Sequence, residues 1–158
     1  MNGKGFMSRT TILRAALGTA LCALAAALLL FDKPRGMIEM AFERPRIEKT
    51  LHDYFAAEMS RDLDKVYSLL APSSVYRRSH TYDQFMDDMK SNSVRIVKYN
   101  VVDIYGLRPN HDPSAYPKVE RFVQVEVDVD VGFADTGTTS SCNYCFTFIK
   151  EGGRWYKG

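Results

Sequence analysis

The sequence predicts an α+β domain, with helices first and a long antiparallel sheet after them, behind one apolar N-terminal helix. Residues 119–133 read VERFVQVEVDVDVGF. They place Val119, Val123, Val125, Val127, Val129, Val131 and Phe133 on one strand face, and Glu120, Gln124, Glu126, Asp128 and Asp130 on the other. Side chains alternate faces along a strand and β-branched residues fit a pleated, half-buried surface, so this is a strand buried on one side. Phe122 is the apolar exception on the polar face. Upstream, apolar residues recur every three or four positions, the period of an amphipathic helix. Residues 15–31 carry no charge over seventeen positions.

The elements are taken in chain order. Residues 1–14 are short, polar and basic. The run 15–31 has two open readings. One is a secretory signal cleaved after a small-x-small site at residues 23–25 or 25–27. The other, favoured by its length, is an uncleaved anchor, which needs roughly 17–25 apolar residues to span a bilayer. Cys22 makes a poor lipoprotein site because bulky Leu21 precedes it. Lys and Arg flank the run on both sides, which weakens the positive-inside rule. The expected orientation puts the domain outside the cytoplasm, in the periplasm if the host is bacterial. Residues 32–45 read as a juxtamembrane linker with Pro34, Gly36 and Pro45 as breakers, either extending the anchor helix or lying at the interface. The folded domain then spans residues 46–158.

Pro45 suits the first turn of a helix. Ile47, Leu51, Tyr54, Phe55 and Met59 form its apolar stripe, and Arg61 and Asp62 break it. A second stripe runs through Leu63, Val66, Tyr67, Leu69 and Leu70 to Pro72. Residues 73–80 read as a short strand or a loop. Thr81 and Gln84 make a capping box for a third helix with Tyr82, Phe85, Met86 and Met89 as its buried face. Residues 94–105 are a strand and 106–117 a proline-rich loop. Residues 138–150 form a further strand with Cys142, Tyr144, Phe146 and Phe148 on one face. Gly152-Gly153 closes a final hairpin.

Composition limits the function classes. The net charge of +2 belongs to the N-terminal segment, since residues 1–36 hold five bases and one acid. The remainder holds sixteen bases against eighteen acids, and Arg77-Arg78 is its basic doublet. Nucleic-acid binding needs clustered basic charge, so it is excluded as a reading.

Three helices, then long antiparallel strands ending in a Gly-Gly hairpin and a Trp-Tyr strand, resemble the NTF2-like (cystatin-like, SnoaL-like) superfamily. The residues carrying the resemblance are IEKTLHDYFAAEM, DLDKVYSLLAP, TYDQFMDDMK and FTFIKEGGRWYKG, across roughly residues 46–158. The resemblance implies a cone: a curved sheet closed by three N-terminal helices. That fold hosts isomerases, cyclases, dehydratases and many non-catalytic modules, so it leaves function open.

Within that cone the ligand-binding candidates are Tyr54, Tyr76, Asp103 and Tyr144. Isomerase-like members use acids and a tyrosine inside the cone, which makes Tyr54 and Asp103 the catalytic candidates of an enzymatic reading. Asp103 is the strand acid expected to face inward, in phase with Val97, Tyr99 and Val101. The acids of the central strand lie on the wrong face. They read as a solvated surface, or as a docking face for a protein partner or a homodimer. Cys142 and Cys145 lie about 10 Å apart in an extended strand and on opposite faces. A disulfide wants less than about 7 Å. They read first as packing cysteines, with disulfide, redox and metal roles as alternatives. No metal, cofactor, nucleophile triad or phosphate loop is expected. The reading favoured by the sequence is a non-enzymatic NTF2-like module, anchored through residues 15–31, that binds a protein or a small apolar ligand in an envelope assembly. The alternative is an isomerase or cyclase with its pocket inside the cone.

Overall fold

The computed structural model describes residues 9–30 and 32–158 of the chain. Among the described residues it is α+β, with five helices and a curved antiparallel half-barrel sheet. Two compact units are present, Met1–Glu39 and Met40–Gly158. The helices are α1 (Arg9–Leu30), α2 (Asp32–Ser60), α3 (Leu63–Leu69), α4 (Val75–Ser79) and α5 (Tyr82–Ser91). The strands are β1 (Val94–Ile104), β2 (Arg108–Pro109), β3 (Val119–Phe133), β4 (Thr138–Glu151) and β5 (Arg154–Lys157).

Among the described residues, no helix is long and apolar enough to cross a membrane. Residues 1–8 of the basic segment and residue 31 of the expected anchor lie outside the described residues, as do the side chains of residues 27–30.

The expected breakers do not break the chain. Helix α2 runs through Pro34, Gly36 and Pro45. Pro34 falls in its first turn, where a missing N–H has no partner to lose. Pro45 sits inside the helix and removes one ladder bond. The turn before it is held by Glu43, which is 7% exposed and bonded to the sheet. Arg61 ends α2 in the left-handed region at φ 58°, and the Asp62 side chain caps α3 by accepting from the Lys65 N–H. The capping box at Thr81 and Gln84 forms as expected. Residues 75–79 are helical rather than extended, because Ser74 caps the turn by accepting from the Arg77 N–H.

The sheet order is β1-β3-β4-β5, with β2 also pairing β3. The Val row of β3 faces the helices from Val123 to Val131, and a register shift against β4 between Val119 and Arg121 turns Val119 to the other face. Val123, Val125 and Val127 have no exposed surface, and they meet Ile47, Leu51 and Phe55 of α2, Val66 of α3, and Phe148 of β4 in one core. The tight turns at the strand ends use Gly137 at φ 67° and the Gly152-Gly153 pair at φ 55° and 75°, angles that L side chains adopt only with strain.

Strand β1 departs from strict alternation. Its register against β3 shifts between Ile96 and Lys98 and again between Val101 and Asp103. Each extra residue is a β-bulge, which reverses the facing of the residues beyond it. Core contact therefore goes to Ile96, Tyr99, Val101 and Ile104. Val97 and Val102, the extra residues, are about half exposed. Asp103 pairs with Glu126 on the polar face.

Phe122, the exception of the central strand, has its own setting. On the outer face it packs with Tyr116 and Tyr156 against a second small cluster of Ala71, Val119 and Ile149. The chain reaches that face by passing along β5, where the Ala71 N–H donates to the Lys157 carbonyl at 2.7 Å.

Candidate functional site

The expected site residues scatter. Tyr54 lies in the core at 8% exposure, and its hydroxyl donates to Glu58 at 2.8 Å. Burial first, and then the Glu58 carboxylate, push that phenol well above its ordinary pKa. Asp103 is exposed on the opposite face of the sheet, with one carboxylate oxygen accepting from the Ile104 N–H. It does not converge with Tyr54, because the bulge at Val102 turns it outward. Tyr144 shares the Val face, opposite Val127, but is 53% exposed. Tyr76 stands on α4, donates to Asp88 at 2.7 Å, and has its pKa pushed up to about 12 by burial and that bond.

Space between helices and sheet is filled by rings. Phe55 stacks on Tyr99 at 4.6 Å and meets Phe146 edge-on at 5.4 Å. The Tyr99 hydroxyl lies 2.6 Å from His52 Nδ1. Such ring pairs pack as densely as any core and add stabilisation beyond area burial. Cys142 and Cys145 are free thiols, opposite Val129 and Glu126 and hence on opposite faces.

A polar cluster absent from the sequence reading joins α2 to the sheet. Glu43 accepts from Lys150 Nζ at 2.9 Å and from Trp155 Nε1 at 2.7 Å. Arg46 approaches the same carboxylate at 3.6 Å, and Glu120 lies 3.7 Å from the Lys150 amine. Burial alone raises the pKa of Glu43, but the Trp155 and Lys150 hydrogen bonds and the Lys150 and Arg46 charges outweigh it, so the net shift is downward. Both partners were visible as anomalies of phase. Glu43 falls between Met40 and Ile47 on the α2 stripe, and Lys150 continues the row Phe146, Phe148. A second missed group is Lys157, whose amine sits over the Phe146 ring at 5.7 Å. Burial lowers its pKa, and the Glu58 charge partly opposes that.

Two adjoining clefts open on the outer face. One cleft of about 530 Å³ runs between α4 and the sheet, with Tyr76, His80, Tyr116, Phe122, Thr147 and Ile149 in its wall. A neighbouring cleft of about 300 Å³ shares Tyr116, Phe122 and Thr147 and adds Arg108, His111, Asp112 and Gln124. Tyr76 is the one expected ligand residue that reaches either. Among the described residues, no group of three or more His, Cys, Asp or Glu side chains is placed to hold a metal ion.

The chain matches no protein-family model and no curated protein.

Proposed function

We propose that this chain is a tethered, non-enzymatic binding module with an NTF2-like domain, serving an assembly at the extracytoplasmic side of a membrane. One observation carries the non-enzymatic part. The inner volume in which an isomerase-like pocket is expected is occupied by Phe55, Tyr99 and Phe146, and the acid expected there, Asp103, stands on the other face. General acid–base chemistry needs its groups within hydrogen-bond reach of one reacting centre, and Tyr54 and Asp103 share none. The NTF2-like reading is supported by helices preceding a curved antiparallel sheet that ends in the Gly152-Gly153 hairpin. Support for the tether is the uncharged run 15–31 alone. Attachment raises the effective concentration of the domain near membrane partners. The exposed polar sheet face is the surface offered to a protein partner or a second copy. Its acids are partly satisfied internally, with Asp130 accepting from Ser141 at 2.6 Å and Asp128 from Asn143 at 2.8 Å.

The isomerase or cyclase reading keeps one specific observation in its favour, the bond from buried Tyr54 to half-buried Glu58, whose charge also acts on the Lys157 amine. Two measurements separate the readings. Alkaline carbonate extraction of host membranes leaves the full chain in the pellet if it is tethered, and releases it if it is not. A Tyr54→Phe, Asp103→Asn double variant restores a deletion strain fully under the binding-module reading. Loss of function in a variant that still folds overturns it in favour of catalysis.

A further inference from the structure

The two-lobed outer cleft is built of rings at one end and carries the Arg108 guanidinium at the other. In the larger lobe, Tyr76 and His80 stack face to face at 4.3 Å with 8° between their planes, forming a rigid aromatic pair in the cleft wall. The His80 ring is fixed in place, its Nδ1 lying 2.9 Å from Ser79 Oγ and 3.2 Å from the Tyr76 carbonyl, so Nε2 is left for another partner. Across the cleft Tyr116 stands at 89° to Phe122, ring centres 5.8 Å apart. Planar aromatic groups settle into such settings, stacked on one ring and edge-on to another. A lobe of about 530 Å³ with a few polar groups among aromatic ones has the size and lining of a small-molecule site.

The smaller lobe supplies the charge. Arg108 is the cross-strand partner of Phe122, which places both side chains on the same outer face. No hydrogen bond or ion pair holds its guanidinium within the described chain. The acid of that lobe, Asp112, is turned to its own loop, accepting from Ser114 Oγ at 2.6 Å and the Ala115 N–H at 3.0 Å. These bonds hold it below the usual carboxylate range. Arg78, over the Tyr116 ring at 5.1 Å, adds positive charge at the rim. A planar fork of donors with no internal partner is suited to a carboxylate.

We propose that this cleft binds a small aromatic carboxylate, its ring against Tyr76, His80 and Phe122 and its carboxylate on Arg108. The proposal rests on the binding-module reading and gives it a ligand class and a site outside the cone. It is tested on the full chain in phospholipid nanodiscs, by amide NMR titration with phenylpropionate and with phenylpropanol as the uncharged control. The expected result is saturable shifts in residues 74–80, 108–116 and 147–149, with the acid bound about tenfold or more tightly than the alcohol. Arg108→Gln, a change at an exposed side chain, removes that preference and leaves alcohol binding unchanged. No saturable shift at millimolar ligand overturns the proposal, as does equal binding of acid and alcohol, or indifference to Arg108→Gln. Chemical analysis of the recovered acid keeps the two ideas apart: conversion to a product refutes the non-enzymatic reading while the site stands, and absence of binding refutes the site alone.

Discussion

Glu43 of α2 and Lys150 of β4, 107 residues apart in sequence, meet at 2.9 Å, with the side chain of Glu43 9% and that of Lys150 14% exposed. Trp155 completes the contact from β5. The pair fastens the turn before Pro45 onto the sheet, and so explains a helix that continues through a residue expected to begin it. Removing one partner of a buried pair strands the other charge, which is more damaging than losing an exposed bridge. Glu43→Gln is therefore expected to lower stability by about 3 kcal/mol, read as a fall in the urea midpoint with unchanged slope. A change within about 0.5 kcal/mol, the size of a surface substitution, means the pair contributes nothing.

The same carboxylate makes a pH prediction. Its pKa is lower in the folded state than in an unconstrained glutamate. A depressed carboxylate contributes stability that is fully present above its unfolded value, and that is lost as pH falls through the folded one. The stability gap between the parent chain and Glu43→Gln should narrow as pH falls from about 6 to about 3. A gap that stays constant over that window removes Glu43 from the acid response.

Pro45 gives a prediction of opposite sign. It interrupts the ladder of α2, and its neighbours hold the helix regardless. Pro45→Ala restores an N–H donor and relieves the ring clash, so stability should rise by up to about 3 kcal/mol. A fall in thermal midpoint indicates that the helix depends on a bend at this residue.

The core and the bulge are tested together. Phe55 has no exposed surface and touches three rings, those of Tyr54, Tyr99 and Phe146, so Phe55→Ala should lower stability by about 3–5 kcal/mol. Asp103 lies on the wet face, so Asp103→Ala should change stability by no more than about 0.5 kcal/mol. Denaturant titration of the two variants side by side checks both. A marked rise in stability for Asp103→Ala contradicts the outward placement, since it is the response of a buried, unpaired acid.

The sequence carried the central strand clearly. From Val123 to Val131 its Val row faces the core as the alternation requires, whereas Val119, beyond a register shift against β4, joins Phe122 on the outer face. Thr81 and Gln84 likewise announce the start of α5 through local chemistry alone. Strand β1 was not legible in the same way, because a bulge is set by pairing with β3 rather than by any residue in β1. Val97 and Asp103 therefore changed face without a local signal. The Glu43 cluster was half legible: an acid and a base each stood in phase with a buried row, but their pairing depends on how α2 lies on β4 and β5. The outer cleft was the least legible. Phe122 stood out as an exception, yet Tyr76, Tyr116 and Arg108 come to it from three separate segments.

The most direct test of the central claim, a solid inner core with recognition on the outer face, is valine-methyl NMR of the full chain in nanodiscs titrated with phenylpropionate. The account predicts that the methyls of Val123, Val125 and Val127 stay unmoved at saturation while the methyls of Val75, in the wall of the outer cleft, shift. Saturable shifts of Val123, Val125 and Val127, with Val75 still, would contradict it and place the binding site between the helices and the sheet.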